Sequence, residues 1–279
     1  MVELILGVAE GDTRVRAVVL SGSRANPAAW RDAFQDFDIT YLVTDVESFV
    51  ADEGWIRPFG ELMILQTPEA MGDPAPAGDG RFAYLMQFTD GNRIDLTLCP
   101  ADRFVPESLA VVMLDKDGVL GELPPPSERD HLGSPPTTKL FADCCNEFWW
   151  VAPYVAKGLG RGEIIYAKHH LDVVMRGELM KMLGWYLGVE AGFDHPVGKH
   201  GKELRRVLSH ELWGMVERTY AGAEEEENWE ALFVMGELFR RAAGRVAGAL
   251  GFAYPAGDDA RVTAHLRRVW VGDFGGMEG

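Results

Sequence analysis

Two aspartates one residue apart, Asp36 and Asp38, stand at the head of the apolar run FDITYLV (37–43). That placement restricts the fold more than any other feature of the chain. On a strand, alternate side chains share a face, so Asp36 and Asp38 project from one side while Phe37, Ile39 and Tyr41 fill the other. Two carboxylates about 5 Å apart repel by roughly 3 kcal/mol at an effective dielectric near 20. A folded chain keeps such a pair where a cation lies between them. Upstream, the apolar segment Val15 to Leu20 reads as a buried strand and ends in a Gly22-Ser23 turn. One short polar excursion, 24–35, joins turn to aspartates, so both return to the same strand end. Hard oxygen donors beside such a turn match Mg²⁺ bridged to the phosphates of a nucleotide.

Further strands are expected at 59–66, 82–88 and 93–98, with Asp90-Gly91 as a hairpin turn between the last two. In the last of them Ile94, Leu96 and Leu98 share one face, and Arg93, Asp95 and Thr97 the other. Asp95 is therefore a third carboxylate for the same site. Residues 1–12 predict a brief helix capping the sheet, 46–53 a surface helix, and 72–80 a Pro- and Gly-punctuated loop. Pro124 to Pro126 and Pro135-Pro136 exclude helix or strand interiors and mark a boundary.

Beyond the boundary the periodicity is helical. Residues 137–157 carry an apolar stripe at 140, 141, 144, 145, 148, 149 and 152. Helices are also expected over 164–188, 202–219 and 229–250, while 255–279 is Gly-rich and assigns no element. The pattern predicts an α+β chain of two domains: a mixed-sheet domain over 1–134 and an α-helical bundle over 135–279. Within the second helix Lys168, Asp172 and Arg176 follow at i, i+4 and i+8, on or beside the apolar stripe. Charges there form an internal ion-pair ladder, or they line a cleft that holds phosphates or substrate.

Composition narrows the partners. The net charge of −16 lacks the basic track that nucleic-acid phosphates demand, and it favours a cationic ligand. No apolar run has membrane-spanning length and no signal-peptide pattern opens the chain, so the expected location is cytoplasmic, without a membrane or an obligate protein partner. Cys99, Cys144 and Cys145 have no metal-ligand spacing, and the histidines favour no zinc site. Gly198-Lys199 and Gly201-Lys202 lack the spacing and the following Ser or Thr of a P-loop. The Gly158-x-Gly160-x-Gly162 run follows no strand.

The stretch SGSRAN…DAFQDFDITYLV resembles the nucleotidyltransferases of the DNA polymerase beta superfamily, and within them the aminoglycoside 6-adenylyltransferases (streptomycin adenylyltransferases). FGELMILQTPE, YLMQFTDGNRIDLTL, CNEFWWVAPYVAKGL, YAKHHLDVVMRGELMKMLGWYLG and PVGKHGKELRRVL carry the resemblance over roughly residues 10–250. It implies transfer of AMP from ATP to a hydroxyl of streptomycin, with release of pyrophosphate. Gly22 and Ser23 are then expected to bind the triphosphate, joined by Arg24, Lys168, Arg176 and Lys199. Asp36, Asp38 and Asp95 are expected to hold Mg²⁺, as two ions, with Asp95 as metal ligand or general base. Glu147, Trp149, Trp150 and Asp172 are the candidates for the antibiotic pocket, since carboxylates and aromatic faces suit a substrate with two guanidinium groups. For the two tryptophans ordinary core packing is the competing expectation. Other acceptors, whether a small hydroxyl compound or a protein side chain, and a nucleotide-binding protein without catalysis are the alternative functions.

Overall fold

Alternation in the first half of the chain resolves into a six-stranded mixed sheet. The computed structural model describes residues 1–131, 133–194, 201 and 204–273. They form two compact units, Met1–Asp130 and His131–Gly279. The first runs through α1 (Val2–Gly11), β1 (Val15–Ser21), the one-turn α2 (Gly22–Ala25), β2 (Phe37–Val43), α3 (Glu47–Val50), β3 (Leu62–Gln66), β4 (Phe82–Phe88), β5 (Arg93–Pro100) and β6 (Ala110–Asp115). The strand order is β3-β4-β5-β2-β1-β6, with β2 and β5 parallel and every other pair antiparallel. The hairpin between β4 and β5 turns at Asp90-Gly91, where Gly91 has φ +88° and Asp90 Oδ1 accepts from Asn92 N at 2.9 Å.

One face of the sheet carries the core of this unit. Ile39, Tyr41, Tyr84, Met86, Ile94 and Leu96 pack with Ile5 and Ala9 of α1 and with Phe49, Trp55 and Phe59. Trp55 meets Phe49 and Tyr84 edge-on at 5.0 Å each, the arrangement the ring quadrupoles prefer. Tyr41 donates its buried hydroxyl to Ile5 O. Residues 46–53 form a single turn rather than the expected surface helix, because Phe49 is drawn into this core. The other face carries a buried apolar cluster at one end, where Ala17, Leu42 and Cys99 lie under Phe104 and Leu120. At its opposite end it carries Asp38 and Asp95. Strand β6 had no sequence expectation: it is an edge strand whose residues are mostly half-exposed on both faces, so no alternation marks it.

The second unit comprises α4 (Thr138–Gly160), α5 (Ile164–His169), α6 (Arg176–Ala191), α7 (Leu204–Val207), α8 (His210–Arg218), α9 (Glu225–Leu250) and α10 (Ala256–Trp270). A π-helical segment, His170–Met175, joins α5 to α6 without a break. Helix α4 starts where Thr137 Oγ1 accepts from Leu140 N. Its stripe is buried from Phe141 to Ala152, but Leu140 is 54% exposed and leaves the core. Phe148 stacks on Phe239 of α9 with centroids 3.8 Å apart. The single helix expected over 202–219 is two, because Ser209 caps α8 by accepting from Leu212 N; Lys202 itself lies outside the described residues.

Helix α10 occupies the stretch that assigned no element. Its core stripe is short, Val262, Leu266 and Val269, and its main anchor is polar. Buried Asp259 takes two hydrogen bonds from Arg240 at 2.6 and 2.7 Å and a third from the Tyr254 hydroxyl at 2.8 Å. Among the described residues, no helix is long and apolar enough to cross a membrane.

Candidate active site

The register of three strands assembles the acidic end of the sheet. Ser21 of β1 pairs with Asp38 of β2, and Asp38 pairs with Asp95 of β5. Asp36 precedes β2 by one residue. One carboxylate oxygen from each of Asp36, Asp38 and Asp95 lies within 4.8 Å of the others, all three side chains half-buried.

Gly22 makes this approach possible. Its φ of +67° belongs to the left-handed region that disfavours a Cβ. A Cβ built there would also fall 2.0 Å from Asp38 Oδ2 and 2.9 Å from Cγ. The turn thus lies directly against the carboxylate, with Ser23 next to it. Asn26 secures the exit: its Oδ1 accepts from Ala28 N at 2.9 Å, and its Nδ2 donates to Glu128 Oε1 at 2.7 Å. Arg24, expected to face phosphates, donates instead to the carbonyls of Asp36 (2.8 Å) and Gln35 (2.6 Å). Its guanidinium stacks 3.7 Å over the Phe37 ring. Arg24 therefore ties the polar excursion to the turn and sets where Asp36 begins.

The electrostatics leave the cluster short of positive charge. Burial pushes the Asp38 carboxyl up to about 6, and Asp36, Asp95 and the exposed Glu107 push the same way, against Arg93. Arg93 donates to both oxygens of Asp95 at 2.8 and 2.7 Å and approaches Asp36 to 4.0 Å. A single guanidinium thus answers several converging carboxylates. The donor set is hard oxygen only, and it fits a hard divalent cation such as Mg²⁺. Arg93 was legible as a neighbour on the Asp95 face, two residues away, but not as part of the site. Glu107 lies in the connection before β6, where no periodicity could have placed it.

The helical candidates resolve individually. Lys168 bonds Asp172 and the Ala221 carbonyl, each at 2.7 Å. Arg176, 9% exposed, reaches Asp172 Oδ1 at 2.9 Å and both Thr219 Oγ1 and O at 2.8 Å, and it stacks on Tyr220 at 3.8 Å. Lys168, Asp172 and Arg176 are an ion-pair ladder that pins the α8–α9 connection to the α5–α6 helix. Arg176→Ala should accordingly lower stability by about 2–3 kcal/mol, with Asp172 still paired to Lys168. Denaturant unfolding with nucleotide KM checks this; an unchanged stability with weakened ATP binding would contradict it. Trp149 is 3% exposed, set edge-on to Phe148, and donates from Nε1 to the Tyr254 hydroxyl at 3.1 Å. Trp150 is 63% exposed and Glu147 is also exposed on α4. Lys199 lies outside the described residues.

A sequence profile of the family described as Streptomycin adenylyltransferase matches residues 1–269. The chain belongs to that family. Among relatives, an aminoglycoside 6-adenylyltransferase of Campylobacter jejuni is 41% identical over 261 residues, covering 92% of this chain and 90% of the relative. One from Bacillus subtilis (strain 168) is 39% identical, covering 93% of each. A third, from Staphylococcus aureus, is 34% identical over 87% of this chain and 88% of its own. The crystal structure of an aminoglycoside 6-adenyltransferase from Bacillus subtilis matches 97% of each chain at 35% identity, with a TM-score of 0.49. The family match spans both units, so the acidic trio and the ion-pair ladder both fall inside it.

Proposed function

We propose that the chain transfers AMP from ATP to a hydroxyl of an aminoglycoside, streptomycin first, and releases pyrophosphate. The convergence of Asp36, Asp38 and Asp95 against the Gly22 turn carries this reading. The naming of the relatives as aminoglycoside 6-adenylyltransferases supports the acceptor class. The backbone at Gly22 and Ser23 receives the triphosphate, and Asp36, Asp38 and Asp95 hold Mg²⁺, with room for two ions in the proposal. When bound, the metal neutralises phosphate charge and favours displacement at phosphorus.

The chain's own groups orient the rest. Asp95, fixed by the bidentate Arg93, takes the proton of the acceptor hydroxyl. The acceptor oxygen forms its bond to the α-phosphorus as the bond to the α–β bridging oxygen breaks. Pyrophosphate leaves with that electron pair. The net charge of −16 draws a polycationic acceptor toward the protein, and ATP as donor sets the activity in the cytoplasm.

Mixing protein, ATP, Mg²⁺ and streptomycin should release pyrophosphate in an enzyme-coupled assay. Release with no aminoglycoside, but with another hydroxyl compound or a protein, would reassign the acceptor. Nucleotide binding without product for every acceptor would leave a nucleotide-binding protein only.

A further inference from the structure

The strand registers continue the catalytic row across the sheet. From Ser21 and Asp38 the row passes to Asp95, then to Leu85 of β4, then to Gln66 of β3. The neighbouring row is Arg93, Gln87 and Ile64. All of these side chains rise from the face that carries Asp38, because the core face takes Tyr84, Met86 and Ile94. At about 4.8 Å per strand, Leu85 lies about 5 Å and Gln66 about 10 Å beyond Asp95.

This stretch of sheet is open. Ile64 is 65% exposed, Gln66 is exposed and Leu85 is half-buried. Gln87 is tied down, donating to the carbonyls of Gly91 and Asn92. Among the described residues the Gln66 side chain has no hydrogen-bond partner. Natural edge strands are usually blunted with charge, yet β3 reads LMILQ. Displacement at phosphorus fixes which substrate can lie here. The attacking and leaving oxygens stand on opposite sides of the phosphorus. With the triphosphate at the Gly22 turn, on the β1 side of Asp38, the acceptor must enter from the β5 side of Asp95.

We infer that the open face of β4 and β3, formed by Leu85, Ile64 and Gln66, seats the hydroxyl-bearing acceptor. This rests on the adenylyl-transfer reading and adds specificity-determining residues to it. Apolar side chains receive the ring faces of a sugar or cyclitol, and the free amide of Gln66 meets its hydroxyl or cationic groups.

Introducing a charge of either sign at Gln66, which is exposed, tests the seat without disturbing a core. Gln66→Lys should raise the KM for a cationic aminoglycoside by about tenfold through like-charge repulsion. Gln66→Glu should leave that KM unchanged or lower it. ATP KM and melting temperature should stay at wild-type values in both. Wild-type turnover with acceptor KM indifferent to both charges would overturn the seat alone, whereas no wild-type turnover with any acceptor would overturn the adenylyl-transfer reading beneath it. A shift in oligomeric state by Gln66→Lys or Ile64→Ala, with acceptor KM unmoved, would assign β3 to a second copy of the chain and likewise overturn the seat.

Discussion

Asp38→Asn is expected to stabilise the metal-free protein at neutral pH while reducing adenylyl transfer on the order of 100- to 1,000-fold, the size typical of a lost electrostatic stabiliser. The two effects share one cause. Burial and the neighbouring carboxylates raise the Asp38 carboxyl from 3.8 to about 6 in the fold. The folded state therefore holds this proton more tightly than the unfolded chain does. Its advantage is complete below about pH 4 and is lost as pH rises to about 6. Above that, the ionised group costs the fold about 2 kcal/mol, allowing for partial screening by solvent. Asparagine removes the charge and the penalty. Denaturant unfolding should thus show the variant more stable than wild type at pH 7.5 and equal to it near pH 4. Saturating Mg²⁺ and ATP should then stabilise wild type more than the variant. A variant less stable at pH 7.5, or one with unchanged turnover, would remove Asp38 from the proposed metal site.

Gly22→Ala should separate position from charge. The alanine keeps all three carboxylates but places a methyl where the Asp38 oxygen now lies, 2.0 Å from an ideal Cβ. The left-handed backbone at φ +67° adds about 1–2 kcal/mol of strain for a residue with a side chain. The Asp38 carboxylate has only two torsions with which to retreat, so it should leave the trio. A displacement near 1 Å in a reacting constellation lowers rate by about 100-fold. Turnover should fall by that order with a modest loss of stability, and Mg²⁺ should bind less tightly in calorimetry. Wild-type kcat in this variant would show that the turn does not set the carboxylate.

Much of this candidate site is legible in the sequence. Asp36, Asp38 and Asp95 announced themselves as charges set into apolar alternation, and strand periodicity told which face each would take. Periodicity could not supply pairing order, so the adjacency of β2 and β5, which puts Asp38 beside Asp95, came only with the sheet. It also could not say what a cation does once folded. Arg24 and Arg176 read as phosphate ligands and instead hold backbone carbonyls, because a guanidinium satisfies a loop as readily as a phosphate. Trp149 and Trp150 are neighbours in sequence with opposite fates, since successive residues of α4 step about 100° around its axis. Helix α10 was hidden because buried Asp259, held by the half-buried Arg240, replaces much of the apolar stripe that marks a helix.

The most direct measurement is the mass of the antibiotic itself. Streptomycin incubated with the wild-type chain, ATP and Mg²⁺ should gain one AMP, with equimolar pyrophosphate, and should gain nothing with Asp38→Asn. Unmodified streptomycin and unmodified aminoglycosides of every other class, in a sample that still binds ATP, would contradict the account.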